Sequence, residues 1–370
     1  MNIKMSKFFP GACAVALAAM VAQAHAAITF NPTPFVTQTQ LNSIYSGNAS
    51  PIGITFAGNE FVGTGGYSGS NLLYSTNLSG GSISVFGAVP GASGEVVLAA
   101  SPNGSGYGSN DIFAGSGANG QVYQFANTGG AATLFANVDT LHPSAGQVRG
   151  IGFDTTGLYG DNMIVTTTSG EIFEIGTAGQ VSLLANLGTD TEGIGFATQQ
   201  FGTYAAGTLF TTSENTGYVN AISPGGTVTY VATIPSAESI SFVPANISSE
   251  TNPLEGFYGV SYPVDVLLAP ASQFDPYAGD VIVTSESGAN PNIWAISLNS
   301  VDSSTVTGIG YMPQPEDSIF VTAQTVQTHG GGVPDGGNTA AMLLAGMLSL
   351  GALACRWKSA LSTRAFASPV

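Results

Sequence analysis

Short apolar runs bounded by glycine recur along the chain, and one four-residue pattern marks each recurrence. Gly53-Ile54-Thr55-Phe56, Gly150-Ile151-Gly152-Phe153, Gly193-Ile194-Gly195-Phe196, Ser239-Ile240-Ser241-Phe242 and Gly308-Ile309-Gly310-Tyr311 fit a single template. Each is followed by a loop and a second apolar strand, expected at residues 72–75, 163–167, 209–212, 281–284 and 319–322. Residues 111–114 supply a sixth copy whose leading strand has lost the pattern. A third strand follows a Gly-containing turn, at 83–86, 122–125, 172–175, 219–222 and 293–296, and a fourth often follows, as at 179–184 and 225–231. Apolar residues alternate within these pieces, as they do in a half-buried strand. Four short strands repeated every ~45 residues predict the blades of a β-propeller.

The expected fold is therefore all-β, a propeller over residues 27–326. Counting second strands gives six blades, and the long insertion at 243–279 leaves five or seven open; the alternative is a β-sandwich or β-solenoid. The last copy has only two inner strands before a glycine run, so residues 27–50 are expected to complete it. Closure by strands from both termini would cover sheet edges otherwise free to pair with other chains. In pattern and period over residues 50–325, the blades resemble the NHL-like six-bladed propellers, in which a Gly-Ile strand lies at the axis. The likeness implies a fold and specifies no activity.

The two ends read as addresses. Lys4 and Lys7 precede an apolar core at 11–21 and the small-residue stretch Gln23-Ala24-His25-Ala26. That order predicts a signal peptide over 1–26 and an exported mature chain. Near the other end, a Gly-rich linker at 327–337 ends in Val333, Pro334, Asp335, Gly336 and Gly337. A membrane helix is expected at 338–355 and a basic cytoplasmic tail carrying Arg356 and Lys358 at 356–370. This succession resembles the PEP-CTERM sorting signal in its VPD-type branch. The resemblance implies an exosortase-type sorting protease as partner, transient attachment to the membrane through the helix, and a cell-surface or released product linked to exopolysaccharide or biofilm material.

Charge narrows the functional classes. Residues 27–332 hold 21 of the 22 acidic residues and one basic residue, Arg149, so their formal charge is 1 minus 21, or −20. Nucleic acid is excluded as a partner, because binding it depends on Lys and Arg neutralising phosphates. Both cysteines, Cys13 and Cys355, lie in the terminal segments, so the exported part can form no internal disulfide.

The repeat register singles out one position. Arg149 precedes Gly150, Glu192 precedes Gly193, and Glu238 precedes Ser239. If these strands line the axis, the sole cation faces two carboxylates at one mouth of the channel, as a closing ion pair or as a site that orients a ligand. A second recurrent set, Tyr107 with Asn110 and Asp111, Tyr159 with Asp161 and Asn162, and Tyr277 with Asp280, reads as turn scaffolding that accepts backbone N–H bonds. Tyr204 falls in the same place without the acid. The tyrosines would alternatively form a glycan-binding face. The sequence requires no cofactor; calcium is the one ion its carboxylates and extracellular setting leave room for. His142 and His329 have no zinc-type spacing, and no G-x-S-x-G elbow is present. The expected function is a non-catalytic exported envelope protein, a binding or matrix module. The alternative is a secreted metal-dependent hydrolase or lactonase-like enzyme with its site at the propeller axis.

Overall fold

The computed structural model describes residues 30–67, 71–247 and 252–330. They form a six-bladed antiparallel β-propeller, six sheets of four strands apiece with one short extra strand on blade 1. From the axis outward, blade 3 runs Val148–Phe153, Met163–Thr167, Glu171–Ile175 and Val181–Asn186. Blade 4 repeats it with Ile194–Phe196, Leu209–Thr212, Tyr218–Ile222 and Val228–Thr233. The second strands are buried along their whole length because each blade stacks on its neighbours through both faces. Outer strands are mostly exposed instead, with buried positions only toward their C-terminal ends.

The Gly-Ile pattern has a steric cause. The innermost strands of adjacent blades approach so closely that a Cβ on Gly193 would lie 2.6 Å from the Glu238 carbonyl oxygen and from the Thr212 hydroxyl. Those hydroxyls also fasten the strands. Thr166 donates to the Glu192 carbonyl at 2.9 Å, while Thr212 accepts from Gly193 N–H at 2.8 Å and donates to the Glu238 carbonyl. A threonine in the second strand thus fixes the backbone that carries an axial acid on the next blade.

Blades 1, 5 and 6 correct the strand assignment made from sequence. In blade 1 the second strand is Glu60–Thr64; the apolar run expected in that role is the third strand, Leu72–Asn77. The Gly308-Ile309-Gly310 copy is not axial: it belongs to Ser304–Gly310, the outer strand of blade 5. Its glycines make room for Pro291 and Phe30, which pack directly upon them. The innermost strand of blade 6 is Pro315–Val321, expected as a second strand. It is followed outward by Gly256–Ser261 and Asp265–Pro270 from the insertion, and by Thr33–Val36 from the N-terminal side. Blade 6 is thus drawn from three separated segments, with its middle hairpin inserted between the first and second strands of blade 5.

The expected C-terminal membrane helix must also be corrected. No helix among the described residues is long and apolar enough to cross a membrane; α1 (Gln38–Ile44) has 7 residues and α2 (Ala323–Thr328) has 6. The segment assigned that role, 338–355, lies outside the described residues, as do the motif Val333 to Gly337 and the signal segment 1–26. The physical reason is already in the sequence: an apolar stretch of 16 residues corresponds at helical rise to about 24 Å, short of a hydrocarbon core of about 30 Å. With the helix, membrane attachment and an exosortase-type partner lose their support.

Candidate functional site at the propeller axis

The inner-strand ladder is interrupted at the same place in three blades. One extra inner-strand residue falls between Val148 and Gly150 in blade 3, between Ala237 and Ile240 in blade 5, and between Pro315 and Ser318 in blade 6. These bulges contain Arg149, Glu238 and Glu316. A bulge re-aims side chains that regular pleating would place elsewhere, and here charged residues collect at one mouth of the axis.

Two further acids arrive from the second strands. Blade 4 continues from Leu209–Thr212 into Ser213 and Glu214, and blade 5 ends Val281–Ser285 with Glu286 next in sequence. Glu286 N–H donates to the Ser236 carbonyl at 3.0 Å, which ties it to the start of the inner strand. Glu95 and Asp190 come from the segments leading into the inner strands of blades 2 and 4.

Arg149 sits within this group, its side chain 9% exposed, in ion-pair contact with Glu95 and Glu192. Its Nε lies 3.6 Å from Asp190 and its Nη2 3.9 Å from Glu214. The sequence placed Arg149, Glu192 and Glu238 together; the structure puts Glu192 on the guanidinium and leaves Glu238 without an ion pair to it. Glu238 Oε2 and Asp190 Oδ1 are buried with no hydrogen-bond partner.

Seven carboxylates, Glu95, Asp190, Glu192, Glu214, Glu238, Glu286 and Glu316, thus collect at the mouth, and Arg149 lies within ion-pair reach of four of them, Glu95, Asp190, Glu192 and Glu214. Burial and neighbouring acids raise the pKa of five of them. Burial first, then Glu238 and Glu286, push Glu95 up to about 8, while the Arg149 contact acts in the opposite sense. Glu238 is raised mainly by burial, against the pull of Arg149. Glu316, buried and hydrogen-bonded to Glu286, is raised as well. Asp190 and Glu214 are raised for the same leading reason.

Two triplets within the group have cation-binding geometry. Asp190–Glu192–Glu214 and Glu214–Glu238–Glu286 each offer one oxygen per residue, with all three within 4.8 Å of one another. An ion with oxygen ligands at about 2.3–2.6 Å can bridge oxygens separated by that much. Arg149 already occupies the first triplet. The second contains the unpartnered Glu238 oxygen and makes no close pair with Arg149 except through the shared Glu214. These acidic clusters could therefore coordinate a divalent cation.

Beneath the carboxylates a cavity of about 330 Å³ runs between the inner strands, past Ile151, Ile194, Ile240 and Ile319, to α2 and His329. The imidazole of His329 is buried and its pKa lowered, with Nε2 3.3 Å from the Ala100 carbonyl and Nδ1 2.9 Å from that of Thr325. It secures α2 and has no place among the acids.

The recurrent turns are scaffolding. Tyr107 accepts from Met163 N–H at 2.9 Å and donates to the Ile175 carbonyl; Tyr159 accepts from Leu209 N–H at 2.9 Å and donates to the Ile222 carbonyl. Each hydroxyl fastens its blade to the next. With Tyr107, Tyr159 and Tyr258 at 2%, 2% and 1% exposure, the tyrosines do not form a common sugar-binding face.

Sequence reasoning missed Glu95, Asp190, Glu214, Glu286 and Glu316. A signal for two of them was present: Thr212-Ser213-Glu214 and Thr284-Ser285-Glu286 repeat one tripeptide at the same blade position.

No protein family matches the chain, and no characterised protein matches it by sequence. Solved structures are similar in shape. One is from a nidogen/laminin complex, at 11% identity and a TM-score of 0.49, covering 75% of this chain and 87% of the other. A second is the PQQ-bound aldose sugar dehydrogenase of Streptomyces coelicolor, at 15% and 0.48, covering 83% and 94%. A third is virginiamycin B lyase of Staphylococcus aureus, at 14% and 0.44, covering 75% and 88%. The fold assignment rests on the sheet order itself.

The expectation of a non-catalytic module is corrected by the axial site. Carboxylates converging in cation-binding triplets over a cavity favour a catalytic role, the reading that had stood as the alternative.

Proposed function

We propose that the protein is a divalent-cation-dependent hydrolase, lactonase-like in having its site at the propeller axis, with Glu214, Glu238 and Glu286 as cation ligands. The observation that carries this is the convergence of these three carboxylates with the Glu238 Oε2 atom buried and unpartnered. A buried acceptor left unsatisfied costs roughly 1–3 kcal/mol, and a cation among the three removes that cost. Calcium suits an all-carboxylate set, being a hard cation. A bound divalent ion supplies Lewis-acid polarisation and lowers the pKa of bound water.

The chain's own groups supply the rest. Arg149, held by Glu95 and Glu192, presents a fixed positive charge beside the triplet. Glu316, its pKa raised beside Glu286, is the group that can give a proton to a leaving oxygen. The test is turnover of a panel of carboxylic esters and lactones after chelation and after adding back calcium, magnesium or manganese. Hydrolysis that requires an added cation and falls at least a hundredfold in Glu238→Gln is expected. Cation-independent turnover, or none with any member of the panel, would overturn the reading.

We propose also that the protein acts outside the cytoplasm, on the order of basic, apolar and small residues over 1–26. A mature chain beginning at Ala27 in the exported fraction is the expected result. A full-length chain in the cytosol would contradict it.

A further inference from the structure

The cavity below the carboxylates has a character of its own. Ile151, Ile194 and Ile319 belong to innermost strands, at the centre of the molecule, yet each retains partial exposure. Since these strands surround the axial cavity, that exposure is to the cavity. Backbone N–H and C=O groups there are consumed in the strand ladders, as in Ile194↔Thr211 and Ile151↔Val165. The throat offers aliphatic surface from these isoleucines and Ile240, set among the hydroxyls of Ser239, Ser241 and Thr328 and the Asp317 carboxylate, which also line the cavity, and aliphatic surface of this sort gains by taking up apolar groups in place of water. At its upper end stand seven carboxylates against one guanidinium already in contact with two of them.

From this pairing of an acidic mouth with an aliphatic throat, and resting on the hydrolase reading above, we propose that the substrate is an uncharged carboxylic ester whose acyl part is an unbranched aliphatic chain. The chain lies in the throat and the ester group at the mouth. A substrate bearing carboxylate, phosphate or sulfate would bring like charge against the acids and is refused. The cavity is finite, about 330 Å³, so the acyl chain it takes has an upper limit of length.

The reaction balances without a further reactant. The oxygen of water bonds to the acyl carbon, the bond from that carbon to the alcohol oxygen breaks, and one water proton ends on the departing alcohol. The acid product then ionises. It leaves as an anion beside a ring of carboxylates, so the charge that refuses anionic substrates also expels the product.

Binding can be separated from turnover by calorimetry on the purified protein in the presence of EDTA. The probes are the uncharged amides from acetamide to octanamide, with hexanoate as the anionic counterpart of hexanamide. Affinity should rise about fourfold per added methylene until the throat is filled. Hexanoate should bind at least tenfold more weakly than hexanamide, and Ile194→Phe or Ile319→Phe, each of which fills the throat, should weaken hexanamide at least tenfold. Affinity independent of chain length, or equal affinity for hexanoate and hexanamide, would overturn the proposal. The series on the unsubstituted protein decides the question even where neither variant folds. Chain-length-dependent amide binding without cation-dependent ester hydrolysis would sink the hydrolase reading and leave the throat assignment standing. Hydrolysis indifferent to acyl length would do the reverse.

Discussion

Two groups of acids in this propeller share residue chemistry and differ in what they face. Asp154, in the turn of blade 3, is 4% exposed. It accepts from Thr156 N–H at 2.8 Å, the Thr156 hydroxyl at 2.7 Å, Tyr159 N–H at 2.7 Å and Asp161 N–H at 3.2 Å. Asp111 of blade 2 is answered in the same way, by the Gln124 amide at 2.8 Å and Asn127 N–H at 3.1 Å. The axial acids face one another instead, with one guanidinium among them and buried oxygens left unanswered. A carboxylate surrounded by backbone donors builds the scaffold. One surrounded by other carboxylates is poised to take a proton or a cation.

Removing the guanidinium disturbs the axial group most. Arg149→Ala leaves Glu95 and Glu192 without their counter-charge, and breaking such a buried pair costs ~3–5 kcal/mol. Urea denaturation at pH 8 should show that loss, and at pH 5, where the acids can protonate, a smaller one. An equal effect at both pH values would mean that charge is not what Arg149 compensates.

Proton linkage is the next largest contrast. A carboxyl group whose pKa is raised by folding binds more protons in the folded than in the unfolded state, so its stabilising contribution is present below the unfolded pKa and lost as pH rises through the folded value. With Glu95 pushed up to about 8 and Asp317, which follows Glu316 in the inner strand of blade 6 and lines the cavity, raised chiefly by burial to about 7, the chelated protein should lose thermal stability between pH 4.5 and 8. Saturating calcium should restore it at pH 8. A melting temperature that rises across that interval without calcium would show that the mouth does not hold its protons.

Scaffold acids should behave oppositely. Asp154→Ala should destabilise by about 1–3 kcal/mol through the unsatisfied turn donors while leaving calcium affinity within twofold. Tyr159→Phe, which loses the bonds to Ile222 and Leu209, should cost about 1–2 kcal/mol, again without effect at the mouth. A large change in cation affinity from either would dissolve the distinction between the two groups.

The regular blades were legible because their steric demand is written locally. Gly150 and Gly193 are small where neighbouring strands nearly touch, and the isoleucine and aromatic that follow keep the register. Blade 6 was illegible for the opposite reason: its strands come from 33–36, 256–270 and 315–321, and no local pattern reports pairing over such separations. Gly308-Ile309-Gly310 shows the ambiguity, since glycine tolerates Phe30 and Pro291 packing on an outer strand as readily as it tolerates a neighbouring blade at the axis. At the site, Arg149, Glu192 and Glu238 could be found from the repeat register. Glu214 and Glu286 could have been found from the repeated Thr-Ser-Glu, whereas Glu95 precedes an inner strand without the Gly-Ile pattern and Glu316 lies in the blade whose order was hidden. The bulges that aim Arg149 and Glu238 at the axis follow from strand pairing, and no residue type announces them.

The central claim is a cation held by Glu214, Glu238 and Glu286, and calcium titration calorimetry on the chelated protein at pH 7 tests it most directly. One calcium per chain, with proton release on binding and at least a tenfold loss of affinity in Glu238→Gln, is the predicted result. No measurable binding, or binding that Glu238→Gln leaves unchanged, would contradict it.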